Sequence, residues 1–167
     1  AGAKRWRGVK PTVRGAAMLT DVKIPARIDN FRLPDQFSKS QELYYFKNAK
    51  AVVIISQANG AKYVKDAAPA IKALKDKYAA QDVIFLMLNS TSGATPQAIA
   101  SEMTKVGLDL PVMIDDAQIV GENLGVTRTA QAFVIQPKTW SVVYNGPIDD
   151  RFSGAVAKPG ATAKVSY

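Results

Sequence analysis

Asp115 and Asp116 stand together after the short apolar run PVMI, where two adjacent carboxylates either take a hard cation or cap the helix that follows. Asp149, Asp150 and Arg151 form a compact charged turn, suited to a partner's surface or to a local salt bridge in solvent. The turn QANGA at 57–61 leads into a helix whose first N–H groups have no intrahelical acceptor. Gly60 and Ala61, helped by Asn59, can offer those groups to an anion or a partner's carbonyl, or leave them to water. The 167 residues include no Cys and no His, which removes disulfides, thiolate catalysis, the commonest metal ligand and the usual neutral-pH acid–base. No cofactor and no resident metal is expected. Tyr44, Tyr45 and Phe46 read as core and edge packing rather than as a stacking platform.

The elements that must position these residues follow from periodicity. Composition, 47% hydrophobic and 22% charged, supports one domain with a real core. Residues 51–56 are a continuous β-branched run, as a central strand covered on both faces requires. After the turn, Val64, Ala68, Ile71, Leu74 and Tyr78 recur at spacings of three and four, so residues 62–78 form an amphipathic helix. Residues 83–89 are a second buried strand. Thr95 and Pro96 start a second helix, hydroxyl as N-cap and proline in the first turn, and it ends near Gly107. A short strand follows at 111–114, then a brief helix at 117–124 capped by Asp116 and ended by Gly125. Strands at 132–135 and 140–145, joined by the turn QPKT, make an antiparallel hairpin. The order βαβαβαββ implies parallel pairing first and a hairpin last, against a wholly parallel doubly wound sheet.

These segments resemble a known family. FRLPDQFSKS, AVVIISQANGAKYVKDAAPAIKALKDKY, VIFLMLNS and LGVTRTAQAFVIQPKTWSVVYNGPIDDR are similar to the redoxin, peroxiredoxin-related branch of the thioredoxin-like superfamily. The resemblance covers residues 31–152 and implies a three-layer α/β/α fold with a mixed central sheet and a C-terminal antiparallel hairpin. It also implies where the chemistry belongs. Relatives place a nucleophilic Cys at the helix N-terminus, where the dipole stabilises a thiolate; Ala61 stands there. A resolving Cys corresponds to Val64, and the Thr preceding a peroxidatic Cys to Ala58. Relatives often read TRTP, with a cis-Pro facing the cysteines, where this chain has Ala130. A cis bond before a non-proline costs about 3 kcal/mol, so a trans peptide and a reshaped groove are expected. Arg128 is a candidate anion ligand in that groove, or else a surface arginine. Loss at both Ala61 and Ala130 points to natural degeneration of the site rather than a single Cys-to-Ala exchange.

Charge directs attention elsewhere. Residues 1–30 carry seven basic residues against two acidic, a net +5 of the chain's +8. With no sustained period, they read as an extended arm, separate from a domain at 31–152 and a flexible tail at 153–167. Trp6, Val9, Val13, Met18, Leu19 and Ile24 are too apolar for a tail that only needs solubility. Lys4, Arg5, Trp6, Arg7, Lys10 and Arg14 are therefore expected to grip a larger protein subunit with an acidic contact surface, together with Asp149, Asp150 and Arg151. The small-residue start AGA suggests removal of a signal peptide and export to a periplasm-like compartment. The apolar runs at 51–55 and 83–88 fall far below the roughly 18 residues of a spanning helix. The expected function is a non-catalytic accessory or structural subunit of an exported complex, with a respiratory dehydrogenase or cytochrome complex as host. The alternatives are a thiol oxidoreductase or peroxidase deprived of its Cys at position 61, and nucleic-acid binding through the arm, which lacks a recognition motif.

Overall fold

The computed structural model describes residues 27–148. In chain order they form β1 (Arg32–Pro34), β2 (Ser40–Glu42), a 3-10 helix (Leu43–Phe46), β3 (Ala51–Ser56) and α1 (Lys62–Tyr78). Then come β4 (Val83–Asn89), α2 (Pro96–Val106), β5 (Val112–Ile114), α3 (Ile119–Leu124), β6 (Gln131–Gln136) and β7 (Ser141–Pro147). Lys4, Arg5, Trp6, Arg7, Lys10 and Arg14 of the arm, Asp149, Asp150 and Arg151, and the tail at 153–167 lie outside the described residues.

The five-stranded sheet has the order β5-β4-β3-β6-β7, so the β-branched run of β3 lies at its centre as expected. β3 pairs parallel with β4, and β4 with β5, while β6 runs antiparallel to both β3 and β7. The sheet is mixed and ends in the hairpin. A wholly parallel arrangement is ruled out. Alternation along each strand sends side chains to two faces. Ile55, Phe85, Met87, Val112 and Ala132 pack under Val64, Ala67, Ala68 and Ile71 of α1 and Ile99 and Met103 of α2. Val52, Ile54, Leu86, Leu88, Phe133 and Ile135 meet Leu43, Val120 and Leu124 on the other face. Helices thus cover both sides of one sheet, in the three-layer thioredoxin-like fold.

α1 keeps the apolar stripe read from the sequence and carries an unforeseen proline, Pro69, within its length. Pro69 has no N–H to offer the carbonyl of Lys65 and sits on the exposed side, where water can serve that carbonyl. α2 begins and ends as expected. Thr95 Oγ1 accepts from the Ala98 N–H at 3.2 Å, Pro96 occupies the first turn, and Gly107 closes the helix at φ 75°.

The start of α3 differs from the expected one. Gln118 adopts a left-handed φ of 63°, which moves the helix start to Ile119 and out of Asp116's reach. Asp115, 2% exposed, does the capping instead: its carboxylate accepts from the N–H groups of Val120 at 3.3 Å and Gly121 at 2.7 Å, and from Ser90 Oγ at 2.8 Å. Asp116 turns away to accept from the Gly93 N–H at 2.7 Å. Gly121 is required here, since a Cβ would come within 2.8 Å of Ser90 Cβ.

The folded unit also begins before residue 31, the boundary read from composition. Ile28 is 5% exposed, its N–H donates to the Trp140 carbonyl at 2.8 Å, and its own carbonyl accepts from Tyr44 Oη at 3.1 Å. Tyr44 stacks on Trp140 with ring centroids 4.3 Å apart, and Asn30 Oδ1 accepts from the Tyr44 N–H at 2.9 Å. Tyr44 is thus a structural clasp, as the packing interpretation requires, whereas Tyr45 is 79% exposed.

Candidate functional site

The C-terminal end of β3 opens into the turn where the sequence placed its vestigial site. Gly60 takes φ 75° and reverses the chain, and Ala61 occupies the N-cap of α1 in an extended conformation, φ −68° and ψ 120°. An alanine has no oxygen with which to cap. Ala61 accordingly makes no side-chain cap bond. The turn closes through its backbone, with the Ala61 N–H donating to the Ala58 carbonyl at 3.1 Å.

A carboxylate approaches from the neighbouring helix. Glu102, on α2, accepts from the Gly60 N–H at 3.0 Å, so the N–H next to Ala61 faces the chain's own anion. The Gly60 N–H is thus satisfied within the chain. Glu102 lies 42 residues away in sequence and nothing in its surroundings announces the role. At the first helical residue, Lys62 would oppose the α1 dipole. Asp66, 2.8 Å from Lys62 Nζ, hydrogen-bonds it and by charge holds its pKa above the ordinary lysine range.

Buried amides brace the turn from below. Gln57, 3% exposed, donates to Asn59 Oδ1 at 2.9 Å and accepts from Asn89 Nδ2 at 2.9 Å; Asn89, fully buried, accepts from the Thr91 N–H at 3.0 Å. Gln57 and Asn89 each stand where the apolar run of a neighbouring parallel strand ends. That polar residue after each run was the legible signal for this pair.

On the far side, the loop before β6 is tied to the end of β3. Ser56 Oγ donates to the Arg128 carbonyl at 2.5 Å and accepts from the Gln131 N–H at 3.0 Å, while the Ala130 N–H donates to the Ser56 carbonyl at 2.8 Å. Ala130 has φ 57°, in the left-handed region, and the described residues contain no cis peptide. The expected trans peptide is present, in a backbone conformation that proline's fixed φ cannot adopt. Gln131 continues the network: its Oε1 accepts from the Thr127 N–H at 2.9 Å and its Nε2 donates to Asn145 Oδ1 at 2.6 Å, leaving Asn145 Nδ2 without a partner among the described residues.

The four vestigial positions separate. Val64 and Ala130, 1% and 3% exposed, lie in the hydrophobic cluster beneath α1, and Ala61 packs against it. Only Ala58 lines the open cleft of about 490 Å³, with Ser56, Gln57, Arg128, Thr129 and the α3 end. At Val64 and Ala130 the chain has apolar packing. Arg128, half-buried, lies in the cleft wall. Asp115 and Asp116 point to different partners, and no cluster of three or more metal-ligating side chains occurs among the described residues.

A family model described as Redoxin matches residues 21–165. Among curated proteins, no sequence matches this chain. Solved structures share the fold at low identity. A hypothetical protein from Sinorhizobium meliloti is 23% identical with a TM-score of 0.71, over 82% of this chain and 77% of that one. Peroxidoxin BcpB from Mycobacterium tuberculosis is 20% identical with a TM-score of 0.60, over 73% and 83%. The thioredoxin domain of a thiol-disulfide oxidoreductase from Bacteroides vulgatus is 12% identical with a TM-score of 0.63, over 74% and 88%.

Proposed function

This chain belongs to the Redoxin family, and from that premise we propose that it is a non-catalytic member, a protein-binding subunit that keeps the redoxin scaffold for its surface. The observation that carries the proposal is the state of the β3–α1 turn. A thiolate there would need a sulfur and no competing negative charge beside it. The chain has no cysteine, the N–H beside Ala61 donates to the Glu102 carboxylate, and Val64 and Ala130 are absorbed into the core. The solved neighbours that are named for thiol or peroxide chemistry lend this chain their fold alone.

What the surface binds is a larger protein subunit, gripped by Lys4, Arg5, Trp6, Arg7, Lys10 and Arg14, with Asp149, Asp150 and Arg151 as a second contact. Support comes from charge: net +5 in residues 1–30, interleaved with Trp6, Val9 and Val13. An exported respiratory complex is the host we favour. No helix among the described residues is long and apolar enough to cross a membrane.

Native purification from the source cell followed by native mass spectrometry tests the proposal. A stoichiometric partner, released when Lys4, Arg5, Arg7, Lys10 and Arg14 are changed to Glu, is the expected result. A chain that elutes alone from gently lysed cells refutes it. Retention on DNA at low salt, lost steeply as salt rises, assigns the arm to nucleic acid instead.

A further inference from the structure

The sequence holds two Asn-Gly pairs, Asn59 with Gly60 and Asn145 with Gly146. In such a pair the glycine's backbone nitrogen can attack the asparagine side chain at Cγ, because no Cβ shields that nitrogen. The fold puts the two pairs in opposite settings. Asn145, 7% exposed, and Gly146 are held in β7 opposite Phe133 and Ala132 of β6, so the backbone rotation that ring closure needs would break the ladder. Asn59 and Gly60 are exposed at the corner of the turn that the Ala61 N–H closes on the Ala58 carbonyl. The space around them is open, and a Cβ on Gly60 would meet nothing within 4 Å.

The groups around the exposed pair match the reaction. The Gly60 N–H, which carries the nucleophile, donates to Glu102 Oε1 at 3.0 Å, where a general base belongs. Gln57 Nε2 donates at 2.9 Å to Asn59 Oδ1, the oxygen on which negative charge develops, and Gln57 is itself fixed by Asn89 Nδ2 at 2.9 Å. We propose that Asn59 is a self-modification site, at which this turn converts its own asparagine through a cyclic imide. The Gly60 nitrogen bonds to Asn59 Cγ as Glu102 takes its proton; the Cγ–Nδ2 bond breaks, and the amide leaves as ammonia with the proton that Glu102 returns. Water then opens the ring. Addition at Cγ gives an aspartate at position 59, and addition at the main-chain carbonyl gives an isoaspartate. Neither route consumes an oxidant, a metal or a second protein. Either product adds one negative charge to the turn that Glu102 already faces.

Incubation of the full chain at neutral pH, followed by peptide mapping with mass spectrometry, tests the proposal, with Asn145 as the control inside the same molecule. The expected result is conversion of Asn59 at least about ten-fold faster than Asn145 in the folded chain, and the two at similar rates in urea. Isoaspartate must accompany aspartate at position 59, since only the ring gives both. Glu102→Gln keeps an acceptor for the Gly60 N–H but removes the base, and should slow Asn59 about ten-fold in the folded chain while leaving Asn145 unchanged. In urea the same substitution should change neither rate. An unconverted Asn59, equal rates at the two asparagines in the folded chain, or aspartate without isoaspartate overturns the proposal. So does an Asn59 rate that Glu102→Gln leaves alone, raises, or lowers only in step with Asn145, and so does a Glu102→Gln effect that persists in urea.

Discussion

Two halves of one rim, both at the C-terminal end of β3 and its parallel neighbours, are built by opposite means. Over β4 and β5, each helix start has its own local side-chain cap: Thr95 for α2, Asp115 for α3. Over β3 and β6, α1 starts on Ala61 with no side-chain cap, and the loop before β6 is tied to both the carbonyl and the hydroxyl of Ser56 around a left-handed Ala130. The first half is organised as stability alone would organise it. The second leaves the first N–H groups of its helix without a side-chain cap, the arrangement that a turn serving a ligand or a thiolate would have.

The largest expected effect comes from forcing the family's residue back into the loop. Ala130→Pro removes the N–H that donates to the Ser56 carbonyl and demands φ near −65° where the chain has 57°. It should cost about 3 kcal/mol or more in urea unfolding, while Ala130→Gly keeps the bond, relaxes φ and gains up to about 1 kcal/mol. A proline variant as stable as the parent would mean that this half of the rim can still adopt the relatives' loop. In the other half, Asp115→Ala strands two backbone donors and the Ser90 hydroxyl, with an expected loss of about 3 kcal/mol in the same measurement. A loss below 1 kcal/mol would deny that half its dependence on side-chain caps.

The two ordinary helix starts should respond with opposite signs. Thr95→Ala is expected to destabilise by about 1 kcal/mol, and Ala61→Ser to stabilise by a similar amount, since Ala61 already has the extended backbone that a capping residue needs. Ala61→Asp should gain less than Ala61→Ser, because Glu102 already places a carboxylate on the adjacent N–H. Thermal melts of the three variants decide it; a greater gain for Asp than Ser would remove Glu102 from the account.

How much of this was legible follows from distance along the chain. The central strand, α1's apolar stripe, the Thr95–Pro96 start and the final hairpin depend on neighbours a few residues apart, and the sequence displays them. Asp115 and Asp116 were indistinguishable locally, because the choice between them turns on Gln118's φ. Glu102 at Gly60, and Ile28 clasped by Tyr44 and Trp140, join residues tens of positions apart by contacts that no periodicity encodes. The candidate site was half legible: the alanines could be read directly, but that Val64 and Ala130 would close into core, Ala61 pack half-buried against it and Ala58 line the cleft required packing.

The smallest expected effect is also the one that isolates the turn. Ala61→Cys returns the thiol that relatives carry, in a chain with no other thiol to confuse the reading. A cysteine at a free helix N-terminus is made more acidic than its ordinary value of about 8.5. Here the adjacent N–H donates to Glu102, and a carboxylate close by disfavours a second negative charge. The Ala61→Cys thiol should therefore titrate near or above the ordinary value, read from the pH dependence of its alkylation. Adding Glu102→Gln should lower it by roughly half a unit to one unit, about 1 kcal/mol of thiolate stabilisation. If Ala61→Cys is already strongly acidic with Glu102 in place, the turn is still shaped for a thiolate, the two halves of the rim differ only by one missing sulfur, and the reading of this fold as a surface without a reaction loses its main support.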